Sequence, residues 1–169
     1  MNTSPAYVLD ANVFIEAHRR YYGLDFCPGF WEVLANSGPH RLVSVDKVKD
    51  ELTAGNDDLK HRVEAHIAQS HFASTAAPEV VTHFQTAMQS VQASAHYLNR
   101  AKTEFAQAAD GWIAAYAKHI DAAVVTHEVY DAEIRKRVKL PNICRELDVP
   151  TIDTFELLRQ LEAKFVLES

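Results

Sequence analysis

Short, wholly apolar runs alternate along this chain with longer stretches whose apolar residues recur every three or four positions. Residues 6 to 10 read as a buried strand built on Tyr7, Val8 and Leu9, and Asn12 to about Arg20 as a helix. In CPGFWEVLANSG, Phe30, Val33 and Leu34 have helical spacing, and Ser37-Gly38-Pro39 supplies the stop. RLVSV (41–45) predicts a second strand. A helix follows with Ser44 as its cap, a stripe of Val45, Val48 and Leu52, and Gly55 at its end.

From Asn56 to Phe105 the pattern is mainly helical. Leu59, Val63 and Ile67 mark one face; Val81, Phe84, Met88, Val91, Ala95 and Leu98 mark another, expected to pack on the domain's own core or to meet a partner. HFASTAAP has room for a very short strand before Pro78 opens a long helix. ADGWIAAYAKH predicts a further helix and AAVVT (122–126) a strand. LPNICRELDVPTID holds a short helix and a last strand around Val149 to Ile152, and TFELLRQLEAKF closes as an amphipathic helix on Phe155, Leu158 and Leu161.

Strands that are apolar on both sides and alternate with helices imply a parallel sheet covered on both faces. The expected architecture is one α/β domain over residues 1–169, with a helical excursion in its middle. Its ligand site belongs beyond the carboxyl ends of the strands, near the switch in strand order.

Composition narrows the classes. With 47% hydrophobic and 24% charged residues the chain has the balance of a globular protein. No apolar run approaches the roughly 20 residues of a membrane span. The start MNTSPAYVLDAN lacks the basic-then-apolar order of a signal peptide. Cys27 and Cys144 are too few for a disulfide scaffold and form no CxxC pair, so two buried thiols in a cytoplasmic protein are expected. The net charge of −6 argues against a surface that coats nucleic acid, but leaves room for a local basic patch or bound metal, and suits a basic protein partner.

Four acids stand where chemistry is expected. Asp10 ends the first strand, Glu51 lies beside the buried stripe of the helix after the second, Asp110 opens DGWIAAYA, and Glu128 comes two residues after Thr126. Singly, each also reads as a cap or a solvated position. Together they fall at comparable places in an alternating fold.

YVLDANVFI, SVDKVKDEL, ADGWIAAYA, AVVTHE and DVPTIDTFELL, in that order over nearly the whole chain, resemble the PIN domains, metal-dependent nucleases that include many bacterial toxin ribonucleases. YYGLDFCPGFWEVL, VVTHE and KRVKLPNICRELDVPTIDTFELL more closely resemble a PIN-like subfamily known mainly as a domain of unknown function. The resemblance implies a three-layer α/β/α fold and a site in which Asp10, Glu51, Asp110 and Glu128 converge on one or two Mg²⁺ or Mn²⁺ ions. Asn12 and Thr126 would orient ligands or water. The implied activity is hydrolysis of RNA phosphodiesters by the toxin of a toxin–antitoxin pair, with an antitoxin as protein partner; a homodimer is the other assembly that the stripe from Val81 to Leu98 leaves open. Hard divalent cations prefer oxygen ligands, which accounts for the carboxylates. Ala11 departs from the Ser or Thr common after the first Asp, and Glu128 from the commoner Asp.

Arg135, Lys136, Arg137 and Lys139 form a basic run that reads either as solvated surface or as a grip on the phosphate backbone. Arg19, Arg20, Tyr21 and Tyr22 are a second candidate, because aromatic rings can stack unpaired bases. Zinc finds no support: HExxH fails at Asp131, and His61, His66 and His71 recur every five residues and so spread around a helix. A phosphatase of the haloacid-dehalogenase type would need an acid where Asn12 stands. The non-enzymatic alternative is a PIN-like scaffold that binds RNA or protein without turnover.

Overall fold

The computed structural model describes residues 6–55 and 57–167. Residues 1–5, part of the N-terminal stretch read above, and Asn56, the expected start of the helical excursion, lie outside them. Strand β1 (Tyr7–Leu9) leads into α1 (Ala11–Glu16), which widens into a π-helical turn over Ala17–Tyr21. Next come α2 (Pro28–Asn36), β2 (Leu42–Val45), α3 (Asp46–Thr53) and α4 (Asp58–His66). Strand β3 (Phe72–Ala73) precedes three helices, α5 (Pro78–Ala93), α6 (Asn99–Gln107) and α7 (Asp110–His119). The chain ends with β4 (Ala123–Val125), α8 (Leu140–Glu146), β5 (Thr151–Ile152) and α9 (Thr154–Gln160). No helix among the described residues is long and apolar enough to cross a membrane.

The five strands form one parallel sheet in the order β3-β2-β1-β4-β5. Neighbouring residues in a strand point to opposite faces, yet every residue of β1 and β2 is buried. Helices therefore cover both faces, giving the three-layer α/β/α arrangement. Helix α7 lies against β1, β2 and β4 and packs along α5. That approach depends on Gly111, where a Cβ would come within 2.9 Å of the Phe84 ring and 3.1 Å of Phe105. Phe84 in turn stacks on Trp112 at 3.7 Å.

Several expectations need correction. Ser44 does not cap α3: it lies in β2, and its hydroxyl donates to the Leu9 carbonyl at 2.7 Å, tying two central strands together. Helix α5 stops at Ala93 and buries Val80, Ala87 and Val91. Val81, Phe84 and Met88 are only half-buried, and Ala95 and Leu98 are exposed, because the chain turns before α6. In α9 the buried residues are Thr154, Leu157 and Leu158, which leaves Phe155 exposed. The thiols are both free, but only Cys144 is buried; Cys27 is partly exposed.

Candidate active site

The strand order reverses direction between β1 and β4: the chain builds outward from β1 through β2 to β3, then returns to add β4 and β5 on the other side. Crevices beyond the carboxyl ends at such a point are where open α/β sheets bind ligands. Asp10 follows β1 and Thr126 follows β4, and the Thr126 hydroxyl donates to the Asp10 carboxylate at 2.8 Å across that crevice.

This bond separates the two readings of Asp10. It sits at the N-cap position of α1, and the Asn12 amide lies near enough to favour its charged form, but the carboxylate makes no capping hydrogen bond. The side chain instead points towards β4 and is almost fully buried. Asp110 is likewise no cap. It is the first residue inside α7, after Ala109, and Gly111 brings it close beneath α5.

A cavity of about 590 Å³ gathers Asp10, Glu51, Asp110 and Glu128 with Asn12, from four separate parts of the chain. It also takes in three groups not anticipated from the sequence: Asp50, Lys47 and Trp112. The signal for two of them was present, since Lys47, Asp50 and Glu51 are spaced i, i+3, i+4 and so share one side of α3. Lys47 also stands 5.8 Å from the centre of the Trp112 ring. Five carboxylates thus line a space with two cations, Lys47 and Arg137.

The electrostatic cost is visible in the acids. Burial, with the charges of Asp10 and Glu128 next in weight, pushes the Asp110 carboxyl up to about 8. Burial pushes Asp10 up to about 6 against the opposing pull of the Thr126 hydrogen bond, with Glu128 and Glu51 adding repulsion. Glu51, exposed on the cleft rim, is raised by partial desolvation.

Glu128 is placed differently. One of its oxygens pairs with Arg137, the other accepts the Leu140 amide at 3.0 Å, and its own amide donates to the Thr126 hydroxyl at 3.1 Å. It therefore ties the loop after β4 to the start of α8. Of the basic run only Arg137 reaches the cleft. Arg135 donates to the His96 carbonyl, Lys139 to the Val129 carbonyl, and Lys136 is exposed. Tyr22 turns inward and stacks on Phe30 at 4.4 Å, whereas Tyr21, Arg19 and Arg20 stay at the surface.

The donor set suits a hard cation, because it is all oxygen and its buried members are short of positive charge. It is not assembled around one: among the described residues no three His, Cys, Asp or Glu side chains stand together in a metal-holding geometry. The engagement of Glu128 with Arg137 and of Asp10 with Thr126, and the mutual repulsion of the rest, account for the spread.

The sequence model of a family described as a domain of unknown function (DUF4411) matches residues 7–165, and the chain belongs to that family. No curated protein and no solved structure matches it.

Proposed function

We propose that this chain is a Mg²⁺- or Mn²⁺-dependent ribonuclease of the PIN type, hydrolysing RNA phosphodiester bonds. The observation that carries the reading is the cleft itself: Asp10, Glu51, Asp110 and Glu128, distant in sequence, border one cavity at the switch point of the sheet. Its role as the toxin of a bacterial toxin–antitoxin pair rests on the resemblance in the sequence; an antitoxin or a second copy as partner would use the apolar stripe that begins at Val81, and a cytoplasmic setting rests on the two free cysteines.

Asp10, Asp110 and Glu51 would hold the cation. When bound, such an ion supplies Lewis-acid chemistry: a more acidic water and stabilisation of charge developing on the phosphate oxygens. Asp10 is held in position by the Thr126 hydroxyl, and Asn12 borders the same space. Burial first, and the neighbouring carboxylates after it, raise the Asp110 and Asp10 carboxyls, so an arriving cation would draw off their protons. Arg137 presents a guanidinium at the cleft, suited to a phosphate oxygen, and Lys47 supplies a second cation to the same cavity.

One observation favours a rival, a binding module without turnover. Glu128 is already satisfied by Arg137 and the Leu140 amide. The test is incubation of a mixed single-stranded RNA pool with Mn²⁺ or Mg²⁺, for wild type, for Asp10→Asn and with EDTA. Cleavage by wild type that both controls abolish supports the nuclease. Folded wild type that binds RNA and leaves it intact supports the module.

A further inference from the structure

A second feature lies one wall away from the cleft. Three rings from three parts of the chain meet at the surface: Tyr21 at the end of the π-helical turn, His127 just after β4, and Phe155 in the first turn of α9. Their centroids are 5.7 Å apart for Tyr21–Phe155, 6.0 Å for Tyr21–His127 and 6.2 Å for His127–Phe155. Tyr21 is 45% exposed and Phe155 40%. The cluster is held from below, because a hydrogen bond of 3.0 Å joins His127 Nε2 to the hydroxyl of buried Thr154.

His127 and Phe155 also line a cavity of about 500 Å³, and Glu128 is common to this cavity and to the carboxylate cleft. Arg19 and Arg20 are exposed on the turn that ends in Tyr21, with Arg20 3.3 Å from Glu16. Aromatic rings at the surface, with Arg19 and Arg20 on the same turn as Tyr21, match a nucleotide, whose base stacks while its phosphate seeks positive charge.

We propose that Tyr21, His127 and Phe155 form a stacking subsite for one unpaired nucleobase of an RNA strand whose backbone crosses the carboxylate cleft. The proposal rests on the ribonuclease reading and deepens it. A base seated there is turned out of any duplex, so the subsite selects single-stranded segments.

The test uses a short single-stranded RNA bearing one 2-aminopurine, in Mg²⁺ and in an Asp110→Asn background so that the strand stays whole. Binding should quench the fluorophore. Phe155→Ala or Tyr21→Ala should abolish the quench and weaken binding about tenfold, the scale of one lost base–aromatic stack. Phe155→Trp should restore both. An RNA with an abasic residue in place of the fluorophore should bind no worse to Phe155→Ala than to the parent. Both side chains are exposed, and unchanged circular dichroism would confirm that the variants fold. The proposal is overturned if Phe155→Ala and Tyr21→Ala leave affinity and quench intact while wild type still cleaves RNA; the nuclease then survives without this subsite. It is also overturned if Phe155→Ala converts a dimer to a monomer without changing RNA affinity, since the face then belongs to a second copy. A Phe155-dependent quench in a chain that cleaves nothing keeps the subsite and removes the nuclease.

Discussion

Asp10 and Asp110 on the one hand and Glu128 on the other line the same cleft and are the same kind of group in opposite circumstances. Neither aspartate is in an ion pair among the described residues, and burial pushes their carboxyls up to about 6 and about 8. Glu128 has a guanidinium on one oxygen and a backbone amide on the other. The first pair is left in need of a cation; Glu128 has one in Arg137. Glu128 thus ties the loop after β4 to the start of α8, and on the proposed reading the aspartates would be the ion-binding pair.

The largest effects should come from the aspartates. Asp10→Asn or Asp110→Asn should lower metal-dependent RNA cleavage by at least about a hundredfold, read as initial rates at saturating Mn²⁺. Glu128→Gln should cost less, roughly tenfold.

Stability without metal should depend on pH in a defined direction. A carboxyl whose folded pKa is raised binds a proton in the folded chain that the unfolded chain has already lost. Stability is then greatest below the ordinary carboxyl value of 3.8 and falls as pH rises through the folded value, about 6 for Asp10 and about 8 for Asp110. Denaturant melts in EDTA should therefore show stability declining between about pH 4 and pH 8, by up to ~1.4 kcal/mol per pH unit for each proton involved. Asp110→Asn should flatten most of that decline and be more stable than wild type at pH 8. Mn²⁺ should flatten it in wild type alone.

The paired side of the cleft gives a smaller effect of opposite sign. Arg137→Ala frees Glu128 and removes a cation that lowers the Asp110 pKa. It should tighten Mn²⁺ binding a few-fold in calorimetry and weaken RNA binding by a similar factor. Gly111→Ala should have the smallest effect, on stability. The new methyl meets Phe84 and Phe105, costing about 1–2 kcal/mol, partly offset by better helix propensity and visible as a lower Tm.

What could be read from the sequence follows from the range of the interactions involved. The strands and Asp10 at the end of β1 were legible because burial on both faces and the change from strand to helix are local patterns. The alternating order put the four acids at comparable places, but that they share one cavity was implied by the resemblance to the PIN domains. Side-chain partners were not legible. Nothing local says that Ser44 bonds Leu9, that Thr126 bonds Asp10, or that Arg137 among four neighbouring cations is the one aimed at Glu128. Phe155 had the helical phase of a core residue, yet the face it occupies meets Tyr21 and His127 at the surface. Val81 and Leu98 read as one long stripe in the sequence because the turn between α5 and α6, over Ser94 to Leu98, contains neither Gly nor Pro.

The central claim is that the buried aspartates are short of a cation, and proton release on Mn²⁺ binding tests it most directly. Calorimetric titration at pH 7 in buffers of differing ionisation enthalpy counts the protons expelled per ion. The account predicts specific binding that expels about one proton, mainly from Asp110, and that Asp110→Asn eliminates the release. Folded wild type that takes up no Mn²⁺, or binds it with no proton released and no dependence on Asp10 or Asp110, would contradict it.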